Sequence, residues 1–230
     1  MPKTRKTKRA GKKTYRKRRS VIYRGVPDRM RVKMNWCGQG TLTQATTGLM
    51  ALDRVILNSL YDPDNSNTLG NHQPEFFDTF CAPLEAQYGL YHKYRVHGVR
   101  YHITFINSDT NTEHDVGVVI VPHSNAVAAS DSFYAICQNK WSRTRSVGTQ
   151  SANNKAIVKG YVDIKKLEGE KSLNDNNWSA ISAASPSYDP SMYIFARAMS
   201  GNTGVGSVYC RVSLQYDVEF YDKLYRSTTD

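Results

Sequence analysis

The sequence predicts an all-β sandwich of Greek-key or jelly-roll type behind a basic N-terminal arm. Three observations carry this reading: apolar residues that alternate with a period of two, long polar connections rich in turn residues, and positive charge gathered at one end of the chain. At 230 residues the chain is long enough for one large all-β domain with a substantial core.

Alternation is clearest near the C-terminus. Val208, Cys210, Val212, Leu214, Tyr216, Val218 and Phe220 alternate without a break against Tyr209, Arg211, Ser213, Gln215, Asp217, Glu219 and Tyr221. A strand places successive side chains on opposite faces, so this pattern gives one face to a core and one to water. Val99, Tyr101, Ile103 and Phe105 repeat it against Arg100, His102 and Thr104, and so do Met30, Val32, Met34 and Trp36 against Arg31, Lys33 and Asn35. Further strands are expected at about 52–60, 115–122, 156–164 and 191–199, the second carrying a continuous apolar run from Val118 to Val121. Short helices are expected only within connections, at Ser132–Trp141 and Leu84–Tyr91.

Turn chemistry separates the strands at Asp62-Pro63-Asp64-Asn65, Asn107-Ser108-Asp109, Gly169, Ser185-Pro186 and Gly201-Asn202-Thr203-Gly204. The last reads as a hairpin or near-hairpin between two strands. Long polar loops between strands favour a Greek-key sandwich or jelly roll over a meander. Residues 62–74 and 165–178 are the longest polar loops and the candidates for the outer surface.

Charge divides the chain more sharply than its net +11 suggests. Residues 1–33 hold fifteen basic side chains: Lys3, Arg5, Lys6, Lys8, Arg9, Lys12, Lys13, Arg16, Lys17, Arg18, Arg19, Arg24, Arg29, Arg31 and Lys33. Asp28 is their one acid, leaving +14, while the other 197 residues hold sixteen Lys/Arg and nineteen Asp/Glu, a net −3. From Pro2 to Ser20 there is no large aliphatic residue and Tyr15 is the one aromatic. Such a segment buries too little apolar surface to offset its ordering entropy, so residues 1–28 are expected to be a disordered arm before a folded domain at 29–230. Phosphate neutralisation with counterion release is the chemistry this composition suits, with Tyr15 available to stack on bases. A nuclear import signal of the Lys/Arg-rich kind fits the same segment. A second basic cluster, Lys140, Trp141, Arg143 and Arg145, is expected in a loop, where it fits a nucleic-acid contact, a contact with a neighbouring subunit or an ordinary exposed loop.

Other chemistries find no support. Cys37, Cys81, Cys137 and Cys210 are too far apart for a zinc site and read as buried free thiols. His92, His97 and His102 are five apart, a spacing that alternates faces on a strand, so no shared metal is expected. Asp62, Asp64 and Ser66 begin like a calcium loop, but Asn67 stands where the turn needs Gly and Gln73 where it needs a bidentate Glu. No nucleophile elbow or zinc-protease motif is present, so no enzyme, cofactor or metal is expected. No run approaches the ~18 apolar residues of a membrane span, and a soluble intracellular chain is expected. Asn177-Trp178-Ser179 matches a glycosylation acceptor but reads as incidental without a secretory signal.

Four features together resemble the capsid proteins of circoviruses and related circular single-stranded DNA viruses that encode a replication initiator. They are the arm from Met1-Pro-Lys-Thr-Arg-Lys-Thr-Lys-Arg through Tyr15-Arg-Lys-Arg-Arg19 running into a first strand, Tyr94-Arg95-Val96-His97-Gly98-Val99-Arg100-Tyr101-His102-Ile103-Thr104-Phe105, Gly117-Val118-Val119-Ile120-Val121-Pro122, and the closing strand Val212–Phe220. The resemblance implies a single eight-stranded jelly roll of two four-stranded sheets. It implies a closed icosahedral shell of about 60 copies, with the arms inside on a single-stranded DNA genome. Host nuclear import receptors and a cell-surface receptor are the further partners implied, and the virion and the host nucleus are the locations. The long loop from Asp62 to Pro74 departs from the family pattern. Small RNA viruses and satellites combine basic arms with jelly rolls too, and backbone neutralisation does not distinguish the cargo. A non-viral nucleic-acid-binding β domain is a further alternative, against which the −3 of the body counts.

Overall fold

The computed structural model describes residues 27–46, 48–64, 68–70, 72–83, 89–169, 176–181, 183–199 and 206–224. The basic residues from Lys3 to Arg24, most of the expected helix at Leu84–Tyr91 and the Gly201–Gly204 turn therefore lie outside the described residues.

Nine strands are described, with a one-turn helix α1 (Phe77–Phe80) between the second and third: β1 (Met30–Thr43), β2 (Ala51–Ile56), β3 (Tyr91–Asn107), β4 (His114–Val121), β5 (Arg143–Val147), β6 (Lys155–Asp163), β7 (Ser179–Ile181), β8 (Ser191–Ala198) and β9 (Ser207–Lys223). One sheet has the order β1-β9-β3-β6, with the three-residue β7 paired to β3, and the other has the order β2-β8-β4-β5. Every described strand pair is antiparallel. Leaving β7 aside, the chain crosses from one sheet to the other at each connection except β4 to β5. That is the eight-stranded jelly roll, a sandwich built from two Greek keys.

The period-two pattern becomes the core directly. On β9 the alternate residues from Val208 to Phe220 are 0–1% exposed, and on β3 so are Val99, Ile103 and Phe105, against Met192 and Ile194 of β8 and Val116, Val118 and Ile120 of β4. The apolar run in β4 has a separate cause. Val119 and Val121 point away from the main core into a second cluster with Met50, Tyr193 and Phe195, capped by Ile136 of α2 (Phe133–Gln138). That sheet is buried on both faces there, so alternation disappears.

Several expectations change. The strand expected at 52–60 ends at Ile56, because residues 57 and 58 turn and Leu57 bonds back to the Pro190 carbonyl. Tyr91, expected at the end of a helix, opens β3. Gly201–Gly204 joins strands of different sheets, since β8 pairs with β2 and β4 while β9 pairs with β1 and β3, so no hairpin forms there. The 62–74 loop is not wholly superficial: Asp64 and Leu69 are buried, and the Asp64 carboxylate accepts hydrogen bonds from the backbone of Leu69 and Gly70. Residues 65–67 lie outside the described residues, and Asp64 serves as the acceptor of a turn. The 165–178 stretch starts in α3 (Ile164–Glu168) and ends in a short 3-10 turn, Asn176–Trp178.

Of the four cysteines only Cys81 and Cys210 are buried, and burial pushes both thiols up to about 12; Cys37 is exposed because it falls on the wet face of β1, and Cys137 is half-buried. The histidines depart from simple alternation because β3 carries a bulge between Val96 and Gly98. His97 and His102 thus share the outer face, roughly 16 Å apart at the usual rise per residue. His97 bonds Glu219 at 2.9 Å. Among the described residues no group of three or more His, Cys, Asp or Glu is placed to hold a metal ion.

His114 opens β4 at 1% exposure. Burial pushes its imidazole pKa below 6.5, outweighing Asp109, the Thr112 backbone and Asp115, which act the other way. The folded state therefore binds fewer protons here than the unfolded chain. Stability is undiminished above the unfolded value near 6.5 and falls as pH drops from there towards the lowered folded value. We expect His114→Gln to flatten this slope in urea melts taken below pH 6.5; an unaltered slope would count against the assignment.

Candidate nucleic-acid interface

Of the fifteen expected arm and strand cations, Arg29, Arg31 and Lys33 lie among the described residues. Arg31 and Lys33 project from the outer face of β1, because the alternation commits Met34 and Trp36 to the core. Arg31 makes a two-pronged contact with Asp217 of β9, Nε and a terminal nitrogen each 2.6 Å from a carboxylate oxygen. That hydrogen bonding holds the Asp217 carboxyl below the usual carboxylate range. Arg29 reaches Glu219 at 3.3 Å, and its guanidinium shares the Tyr221 ring with that of Arg95, at 5.9 and 5.5 Å from the ring centroid. Burial pushes the Glu219 carboxyl up, but His97 and Arg29 outweigh it and leave it lowered. Two of the three cations are thus engaged with the sheet itself. Lys33 makes no ion pair among the described residues.

The strand register extends the basic face beyond β1. One row runs Asn35, Gln215, Arg100, Tyr161 across β1, β9, β3 and β6, the next Cys37, Ser213, His102, Lys159, and the third Gln39, Arg211, Thr104, Ile157. Arg100, Lys159 and Arg211 are exposed on it. Sequence reasoning named none of these three as site residues, although their outward parity on alternating strands was the available signal.

The second basic cluster changes character. Lys140 and Trp141 follow α2 in a turn, where the Trp141 amide donates to the Asn139 side chain and the Lys140 ammonium sits 5.4 Å from the indole centroid. Arg143 and Arg145 are not in a loop: they belong to β5, the edge strand paired with β4. The cause is the hydrogen-bonding edge of β4, which captures a stretch too short and too polar to show a strand pattern. Arg143 and Arg145 pair with Val118 and Val116, whose side chains face the core, so both arginines leave β5 on its inner side at the margin of the sandwich. Across the margin stands β6, whose Lys159 and Ile157 line one cleft of about 440 Å³ with Arg143 and Arg145.

No protein-family model matches the chain, and no curated protein does. Solved structures with a similar chain path include Cocksfoot mottle virus, at 12% identity and a TM-score of 0.45 over 100% of both chains. Another is the 60-mer form of the BFDV capsid protein, at 10% identity and TM-score 0.43, covering 88% of this chain and 98% of that one. A third is Turnip yellow mosaic virus, at 12% identity and TM-score 0.44, covering 89% of this chain and 100% of that one.

Proposed function

We propose that the chain is the capsid protein of a small circovirus-like virus. Residues 29–230 form the shell domain and residues 1–28 a basic arm that packages single-stranded DNA. The observation that carries this reading is the division of charge on a jelly roll: +14 in the first 33 residues against −3 in the rest. Jelly rolls serve as shell modules, and a nearly neutral body lets copies approach one another while the cations stay where confined phosphates need them. In this reading the residues that bind the genome are Lys3, Arg5, Lys6, Lys8, Arg9, Lys12, Lys13, Tyr15, Arg16, Lys17, Arg18, Arg19 and Arg24, continued on β1 by Lys33. Arg29 and Arg31 contribute less, because each is committed to a carboxylate of β9. Closure takes about 60 copies in the smallest icosahedral shell. The role is structural rather than catalytic. Nuclear import receptors would read the same arm before assembly in the host nucleus, and the mature location is the virion.

The test is the nuclease-protected cargo of native particles. Single-stranded DNA, resistant to ribonuclease after the shell is opened, is the expected content. Protected RNA would move the chain to the RNA or satellite viruses, and no protected nucleic acid of either kind would contradict a packaging role.

A further inference from the structure

The open margin of the sandwich between β5 and β6 holds more charge than an edge needs. The cleft between Arg143, Arg145 and Lys159 is joined, through Arg143, to one of about 330 Å³ that Lys140, Trp141 and Tyr161 also line. Through Tyr161 that second cleft is joined to a third, of about 170 Å³, lined by Lys33, Arg100, Gln215 and Asp217. The three form one trough that starts beside the strand emerging from the arm, crosses the outer face of the sheet and turns over its edge. The one carboxylate lining it is Asp217, already held by Arg31.

Two features fix the side chains in place. A Cβ at Gly98 would overlap the Tyr161 hydroxyl, so the missing side chain lets Tyr161 lie across β3 while staying 52% exposed. Gly160 makes the same room for Tyr101, whose hydroxyl hydrogen-bonds with Arg143. Inward-pointing charges on edge strands also guard sheets against unwanted pairing. That role accounts for a single charge on each edge; it does not account for a run of cations whose one carboxylate is already ion-paired, nor for the exposed Tyr161 ring between them.

We infer that this trough is a second site for single-stranded nucleic acid, with phosphates on Lys33, Arg100, Lys159 and Arg145 and bases stacked on Tyr161 and Trp141. The inference rests on the packaging role proposed above and adds a path on the folded body. Single strands fit because stacking on a sheet-bound tyrosine needs an unpaired base face, and aromatic platforms between cations are how such strands are held without regard to sequence. The occupant that competes with it is a sulfated glycan, which offers the charge but no bases.

The test uses the full-length chain, iodouracil-substituted oligothymidine as a photo-crosslinking probe, and heparin as the polyanion without bases. Crosslinks should fall on peptides carrying Tyr161 or Trp141 as well as on the arm. Tyr161→Ala should weaken oligothymidine binding roughly five- to 150-fold, the range stacking contributes per base, with recovery in Tyr161→Phe and no change for heparin. Neutralising Arg100, Arg145 and Lys159 to Gln should lower the salt slope of binding by roughly 2, at about 0.7 per phosphate contact. These positions are exposed, so thermal unfolding should be unchanged and serves as the control for folding. Crosslinks confined to the arm, or equal losses for heparin and oligothymidine in Tyr161→Ala, would overturn the inference. In that event, loss of packaging on neutralising residues 3–19 would leave the packaging role standing; retention of packaged nucleic acid in both variants would remove the arm's part in it.

Discussion

Deleting residues 1–24 is expected to abolish nuclease-protected nucleic acid while leaving the body able to close into shells. The segment carries twelve Lys/Arg and no Asp or Glu, so its removal takes the net charge from +11 to −1. In a shell of about 60 copies the arms bring on the order of 700 cations into the interior. Twelve phosphate contacts give a salt slope of roughly −8 for single strands, so binding by the full chain should fall by nearly five decades between about 50 and 200 mM salt. The deleted protein should lose most of that slope together with most of its affinity. Absorbance of purified particles at 260 and 280 nm, with a nuclease-protection assay across the salt series, reads both. Undiminished packaging would remove the arm's role.

Trp36→Ala should be the most damaging single substitution on β1. Trp36 is 2% exposed, its indole nitrogen donates to the His72 carbonyl at 2.8 Å, and its ring stacks on that of His72 with centroids 5.5 Å apart. It fastens the connection between β2 and β3 onto the first sheet, one step from the Gln39 amide bond to the Leu69 carbonyl. Truncating a buried Trp costs about 3–5 kcal/mol through lost burial and the cavity left behind, a large share of the roughly 5–15 kcal/mol that holds a domain together. Melting should fall by roughly 6–20 °C at the sensitivity usual for this size. Asn35→Ala, on the wet face one residue away, should shift stability by about 0.5 kcal/mol at most. Denaturation at one fixed protein concentration makes the comparison, because assembly itself raises apparent stability. A Trp36→Ala loss below about 1 kcal/mol would mean that the connection is not anchored there.

The fold was legible wherever one face of a strand is buried and the other wet. β1, β3 and β9 all announced themselves by alternation, and their true lengths exceed the expected ones because the ends of these long strands carry weaker patterns. β5 was illegible for a physical reason: its Arg143-Thr144-Arg145-Ser146 stretch has no apolar member, and it is a strand because β4 offers an unpaired edge. The bulge at His97 was hidden too, since the residues on either side of it read equally well in one continuous strand. The site was half legible. Charge density exposed the arm, but the trough needs β1, β3, β5 and β6 brought together across the sandwich, and no spacing along the chain encodes that. The engagement of Arg29 and Arg31 by Glu219 and Asp217 likewise appears only when the register of β1 on β9 is known.

The central claim is that this jelly roll closes on copies of itself around nucleic acid held by its arm. Negative-stain electron microscopy of the expressed full-length protein beside its 1–24 deletion tests it most directly. The account predicts closed particles of one uniform diameter from both, stain-excluding for the full chain and stain-filled for the deletion. Monodisperse monomers in moderate salt that still bind nucleic acid tightly would contradict it.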